Sequence, residues 1–459
     1  MLTIRQISTK VTARDSRLFL LLLGLALGIA IGFNTELMFY GMLAGLLLTL
    51  WALKPIFLTY LAIFLIPMEN ALPAFRLPAV SISLTTVNFL TLAASSAYFV
   101  RVLFKREKIH WNPGFTFFAL FVLWNFATIP QSVFKLDAVT RAVEWALFLL
   151  FFVTVANQFL NADIIKNSIV LFGLGGWVVT VTGLFIFRFQ FDNRLEGLLG
   201  NPNSFANAII ACVIGVLLYP ALKKRLTIGQ AIYILLYVVV GVIATVQAGS
   251  RGAIIAWIVL LVGLNLFGRS LNISANTFIL LLCIAVFTTV IPQTYEPVLE
   301  RFAVSEVTDL GGRLSIWDIA INLIKEKPLV GYGAGSASSL VGLEYYSPFN
   351  IIGVQYKSVH NPILEIWIEN GLIGLLLFGG VLAFPLFGLF RTLTGRSQVS
   401  FQQYFFPQVR IIAACFLSYL VIWLKNGGAT HDKNLYIYLA LAIVTALHLG
   451  WDQKAERTA

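Results

Sequence analysis

The sequence predicts an all-α, polytopic membrane protein with about 12–14 transmembrane helices, on three observations. Of its 459 residues, 59% are hydrophobic and only 12% charged, more apolar side chain than a water-soluble core calls for. The mean hydropathy is +0.86. The apolar residues also come in blocks near the ~20 residues a helix needs to cross a ~30 Å hydrocarbon layer, and about fourteen such blocks can be marked. One helical membrane domain therefore fills residues 1–459, with 292–362 as the long loop between two spans.

The first apolar run, Leu18 to Phe33, follows Arg5, Lys10, Arg14 and Arg17 and so resembles a signal peptide. It ends in "FNTE" without a small-residue cleavage pattern and is read as a retained first helix. Cys212, Cys283 and Cys415 each lie inside an apolar run, lack metal-knuckle or redox spacing, and are read as core packing. The formal charge of +11 does not point to nucleic acid, because the basic residues are scattered through short loops.

Those charges orient the chain, since Lys and Arg resist translocation. With the N-terminus inside, the inner set holds the four N-terminal basics, Lys54, the cluster Arg101, Lys105, Arg106 and Lys108, then Lys166, Lys223, Lys224, Arg225, Arg269, Arg391, Arg396, Arg410, Lys454 and Arg457. The outer set is smaller and less clustered: Arg76, Lys135, Arg141, Arg188, Arg194, Arg251, Lys425 and Lys433, plus those of one long loop. Both termini are expected in the cytoplasm of a bacterial cell, with the protein multi-pass in its cytoplasmic (inner) membrane. The loop 292–362 is then extracytoplasmic. Within it, "GGRLSIWDIAINLIKEKP" puts Ser315, Asp318, Asn322 and Lys325 on one helical face and apolar residues on the rest, which predicts an amphipathic helix on the outer interface. Pro328 stops it, and a flexible "GYGAG" follows.

Ionisable groups at membrane depth are functional candidates. Arg251, in "QAGSRGAIIAW", lies between two spans, and Gly249 and Gly252 leave room for a ligand to approach. A guanidinium at a helix start fits an anion such as phosphate, against the plainer reading of a snorkelling arginine in a turn. Arg313 opens the amphipathic helix with Trp317 one turn on; two such cations on one surface could clamp a diphosphate, and an ordinary helix start with a membrane-belt tryptophan is the alternative. Arg188 and Arg194 lie on the same side, in "FRFQFDNRLEGLLGNPNSFANAII", where Asn203 or Ser204 can cap the next helix. Among the four histidines, His110 and His448 read as packing, and His431, in "NGGATHDKN", is a weaker outer candidate. His360 precedes Asn361, which can hydrogen-bond, and Pro362, which can start a helix; the imidazole is also the side chain best suited to take a proton near neutral pH. Glu365 and Glu369 follow at a spacing of four and could orient it or pair with lysines. No zinc-protease motif, paired His/Cys spacing, acidic pair beside an outer span or Walker loop occurs, so no metal or cofactor is expected and any outer-face donor must arrive already activated.

"GLLGNPNSFANAII", "GSRGAIIAW", "GGRLSIWDIAINLIKEKPLVGYGAGS" and "HNPILEIWIENGLIGLLLF", spanning roughly Gly197 to Phe378, resemble in content and order the O-antigen ligase and Wzy-type polymerase superfamily. That resemblance implies a GT-C-like glycosyltransferase working without metal on the outer face of the membrane. It would move a glycan from undecaprenyl diphosphate to a saccharide acceptor, either lipid A-core or another lipid-linked repeat. The family's phosphate-binding arginines map onto Arg251 and Arg313 and its base onto His360, whereas Arg188, Arg194 and His431 have no counterpart. The implied partners are the lipid-linked donor, the saccharide acceptor and the bilayer, with a chain-length regulator or flippase as candidate protein partners. A solute transporter and a protein O-oligosaccharyltransferase are the alternatives.

Overall fold

The computed structural model of the chain describes residues 45, 49–51, 54–72, 74–77, 82–186, 190–191, 194–221, 227–267, 313–347, 356–394, 399–426 and 432–456. The expected first helix, Leu18 to Phe33, and the first part of the expected loop, 292–312, lie outside these residues, as do Arg188, Cys283 and His431.

The described chain is a helical membrane protein. In order come α1 (Ile56–Leu65), a 3-10 turn (Ile66–Ala71), strands β1 (Ala74–Leu77) and β2 (Ile82–Thr85), then α2 (Thr86–Lys105), α3 (Pro113–Thr128), α4 (Lys135–Gln158) and α5 (Ala162–Val181). Strands β3 (Gln190–Phe191) and β4 (Arg194–Leu195) lead to α6 (Pro202–Ala221), α7 (Ile228–Gln247), α8 (Arg251–Phe267), α9 (Arg313–Glu326), α10 (Ala337–Tyr346), α11 (Pro362–Leu393), α12 (Val399–Lys425) and α13 (Lys433–Glu456). Eight of the described helices are long and apolar enough to cross a membrane, and three shorter apolar helices begin at Ile56, Arg251 and Lys433. The strands form two short antiparallel hairpins, β1 with β2 and β3 with β4.

The interior owes its cohesion to aromatic rings from helices far apart in sequence. Phe121 of α3 meets Trp145 of α4 edge-on at 5.0 Å, Phe118 stacks on Tyr436 of α13 at 5.4 Å, and Tyr419 of α12 stacks on Tyr438 at 4.7 Å. Such offset and edge contacts add to the area each ring removes from solvent or lipid. Cys212 and Cys415 are buried in this core, in line with the packing role expected of them.

The amphipathic helix appears as α9. Ser315, Asp318, Asn322 and Lys325 are exposed, while Ile316, Ala320, Leu323 and Ile324 are buried in a small satellite core with Val341, Val359 and Ile368. A second helix, α10, follows in the same loop without having been anticipated. The intervening "GYGAG" is not the flexible linker expected. Gly331, Gly333 and Gly335 all have positive φ, and the segment is bonded into α11. There Gly371 breaks the helix at φ 64°, ψ −171°. The amides of Tyr332 and Gly333 donate to the carbonyls of Ile368 and Glu369 at 2.9 and 2.8 Å, and the amide of Leu372 donates to the Pro328 carbonyl at 2.8 Å. The Trp367 indole also donates to Pro328, and the Trp124 indole to the Asn370 carbonyl. The helix break and the glycine turn therefore satisfy each other's backbone groups.

A Cβ on Gly371 would lie 2.2 Å from the Leu329 carbonyl oxygen, in a backbone region open essentially to glycine, at a cost of order 1–3 kcal/mol before any clash. Gly371→Ala is expected to lower the thermal unfolding midpoint in nanodiscs by several degrees and to release α9 and α10 first in hydrogen exchange. An unchanged midpoint and exchange pattern would show that the break tolerates a side chain.

Candidate functional site

The end of α11 that begins at Pro362 carries the site. Asn361 caps this helix, its Oδ1 accepting from the amides of Ile363 (2.9 Å) and Leu364 (3.3 Å), with Pro362 in the first turn. Capping thus falls to Asn361 and leaves the side chain of His360, the residue before it, for other work. His360 has φ 54°, a left-handed conformation uncommon outside glycine and worth attention where chemistry is in question.

Three contacts hold the approach to it. The Lys357 amide donates to the Ser338 carbonyl at 2.9 Å, the Trp317 indole donates to the Val359 carbonyl at 3.1 Å, and the His360 amide donates to Ser358 Oγ at 3.4 Å. Trp317 thereby ties α9 to the histidine segment.

Cations from four elements gather around Lys425, and Arg313 and Lys425 among them act on His360. Arg251 is the first residue of α8, Arg313 the first of α9, Lys425 the last of α12, and Arg194 comes from β4. Arg313, Arg194 and Arg251 all lie within electrostatic reach of Lys425. The Lys425 ammonium donates to Ser250 Oγ at 2.7 Å and to Asn203 Oδ1 at 2.9 Å, and Ser250 Oγ donates to the same Asn203 oxygen at 3.1 Å. Arg194 Nε donates to the Ala248 carbonyl at 2.9 Å.

Gly249 and Gly252 serve these cations, a role different from the ligand approach expected of them. A Cβ on Gly249 would meet Arg194 Nε at 3.2 Å, and one on Gly252 would meet Lys425 Cδ at 2.2 Å. Nor does Asn203 cap α6. Asn201 does so, its Oδ1 accepting from the amides of Asn203 (2.9 Å) and Ser204 (3.1 Å), which turns the Asn203 side chain toward Lys425.

Among the described residues no carboxylate forms an ion pair with Arg251, Arg313 or Lys425. The resulting field acts on the site's own groups. Burial first, and Arg251 second, lower the Arg313 guanidinium from its ordinary value. Burial, followed by the charges of Arg313, Lys357 and Lys425, lowers the His360 imidazole from 6.5 to about 4. At pH 7 that ring is neutral and holds a lone pair able to accept a proton.

Arg251, Arg313 and His360, singled out from the sequence, thus come together, and Arg194 joins them. Lys425 was placed on the outer side from the sequence but given no role; its only local signal is a lysine ending an apolar run. Glu365 and Glu369 are buried on α11. Glu369 lies near Arg141 and the Gly335 and Ala337 amides. His360 also borders a polar cavity of about 230 Å³ lined by Asn203, Asn207, Asp432 and Asn434 among others.

Residues 236–379 match the family model described as O-Antigen ligase (Wzy_C), a stretch that includes Arg251, Arg313 and His360. The chain is similar to a ComP-specific O-oligosaccharyltransferase of Acinetobacter baylyi, 22% identical over 339 residues that make up 69% of this chain and 59% of that protein. It is also similar to a putative polysaccharide ligase of Rickettsia felis, 26% identical over 277 residues, 56% of this chain and 64% of the other. The match spans less than two thirds of the length of either relative.

The lowered His360 value has a definite sign. Between pH 6.5 and about 4 the unfolded chain binds more protons at this residue than the folded one, so its contribution to stability is complete above pH 6.5 and is lost as pH falls toward 4. Acidification from pH 7 to 5 should therefore lower the unfolding midpoint of wild type more than that of His360→Asn. Pyrophosphate, by offsetting the neighbouring cations, should raise the imidazole pKa in a ¹⁵N-histidine NMR titration; a value near 6.5 in the free protein would contradict the proposed environment.

Proposed function

We propose that this chain, which belongs to the O-antigen ligase superfamily through residues 236–379, is a metal-independent glycosyltransferase that moves a glycan from undecaprenyl diphosphate to a saccharide hydroxyl. One observation carries the reading: a neutral imidazole, His360, in the field of Arg313, Lys357 and Lys425, with Arg251 within electrostatic reach of Arg313 and Lys425, and no carboxylate ion-paired with Arg251, Arg313 or Lys425 among the described residues. Such a cluster suits a polyanion, and a diphosphate leaving group supplies one.

In this mechanism Arg251, Arg313 and Lys425 bind the donor diphosphate. His360 takes the proton of the acceptor hydroxyl as that oxygen bonds to the anomeric carbon. The bond from that carbon to the diphosphate oxygen breaks in the same step, and the diphosphate keeps the electron pair. The cations offset its growing charge, which is electrostatic stabilisation of the transition state. Once the diphosphate is bound, the field that depresses the imidazole weakens, so the base gains strength when the donor is in place. A single displacement inverts the anomeric configuration. The outer face of the cytoplasmic membrane follows from placing the Lys- and Arg-rich loops inside. The family match favours a transferase over a solute carrier.

The similarity to a protein named as a ComP-specific O-oligosaccharyltransferase favours one second reading, in which the acceptor hydroxyl belongs to a protein. Glycoprotein staining of cells with and without the gene separates it from saccharide ligation.

In liposomes with an undecaprenyl-diphosphate oligosaccharide, His360→Asn, a residue that tolerates a left-handed backbone, is expected to cost about 10²–10⁴ in rate. Turnover of this variant within a few-fold of wild type would remove His360 as the base. Arg251→Lys keeps the charge but loses the two-pronged guanidinium and is expected to fall well below wild type; near-normal activity would reduce Arg251 to a simple charge requirement. A product ladder without added acceptor would identify a polymerase.

A further inference from the structure

The cations and the cavity on which His360 borders divide the site by chemistry. Asn70, Asn201, Asn203, Asn207, Asn426 and Asn434 line the cavity together with Ser204, Glu69 and Asp432, and among the described residues its lining contains no lysine or arginine. Neutral amides present a donor and an acceptor each, the pattern that adjacent hydroxyls of a sugar ring match. A phosphate would gain little there.

Asn207 and Asn434 line the cavity, while the Oδ1 of each is buried away from solvent, so their other side-chain atoms border the space. The two carboxylates are already engaged with the protein. Glu69 accepts from Thr85 Oγ1 at 2.5 Å and pairs with the buried Lys433, and Asp432 accepts from the Asn434 amide at 3.0 Å and its Nδ2 at 2.6 Å. Burial raises the Asp432 carboxyl above its ordinary range. At about 230 Å³ the cavity has room for a single sugar ring, below the ~300–1,000 Å³ typical of sites for drug-sized ligands. Asn203 joins the two halves, lining the cavity while its Oδ1 accepts from Lys425.

We infer that this asparagine-lined cavity is the subsite for the acceptor's terminal sugar and that it selects an uncharged ring over a uronic or other acidic one. The inference rests on the transferase reading, because His360 at the cavity's edge is the group that would take the proton from a hydroxyl of that ring.

Saturation-transfer NMR on the full chain in nanodiscs tests it with methyl α-glucoside, methyl α-N-acetylglucosaminide and methyl glucuronide as separate probes, and ³¹P line broadening follows the binding of inorganic pyrophosphate. At least one neutral glycoside is expected to bind wild type, with the glucuronide weaker by about tenfold or more. Asn207→Leu and Asn434→Leu should each weaken the neutral glycoside by about tenfold while leaving pyrophosphate binding intact, which also reports that both variants are folded. The inference is overturned if wild type binds pyrophosphate but neither neutral glycoside, if the glucuronide binds as well as the neutral rings, or if both leucine variants retain glycoside affinity. Absence of pyrophosphate binding in wild type would count against the diphosphate reading alone, because glycoside binding is scored on its own.

Discussion

A helix entering a bilayer cannot leave amides or carbonyls unbonded, and α11 is broken at Gly371. The segment from Pro328 to Gly333 meets that constraint by lending its own carbonyl and amides to the break. One exchange of hydrogen bonds thereby fastens the segment after α9 to a helix long and apolar enough to cross a membrane. The short helical piece from Pro362 to Asn370 becomes a platform, with Asn361 as its cap and His360 just before it. Arg313 reaches the site through the same attachment, because α9 packs on this platform through Ile316, Ala320 and Ile368 and holds the histidine segment with Trp317.

On this frame the electrostatics are arranged in opposition. Arg251, Arg313 and Lys425 repel one another, Arg313 and Lys425 together with Lys357 depress the neighbouring imidazole, and no described carboxylate is ion-paired with Arg251, Arg313 or Lys425. Such an arrangement costs stability in the empty protein and becomes favourable only when a polyanion arrives. Hydrogen bonds from Lys425 to Ser250 and Asn203 hold one of these charges in position meanwhile. The neutral asparagine cavity lies directly alongside, so a charged leaving group and an uncharged ring can be sorted by chemistry on either side of Asn203.

Much of the site could be read from the chain because membrane depth makes charge conspicuous. Arg251 and Arg313 stood out as cations beside apolar runs, and His360 as an imidazole next to a proline-initiated helix. The amphipathic pattern around Ser315, Asp318 and Asn322 marked α9 correctly. The less visible parts depend on contacts across long sequence separations. Lys425 looked like any lysine ending a span until α12 brought it to residues 175 and 222 positions away. The "GYGAG" turn read as flexible because glycine is flexible in isolation; its carbonyl and amide partners lie on another helix. Asn201 and Asn203 are equally good caps by composition, and only the backbone path assigns the cap to the first and the Lys425 contact to the second.

The sequence by itself determined the helical membrane class, the amphipathic helix and the short list of ionisable candidates, because hydropathy and charge are local properties that a bilayer reads residue by residue. Which cations share one site, which glycines admit side chains and not ligands, and which asparagines enclose a cavity were decided only by the tertiary structure, since those facts depend on where distant helices meet.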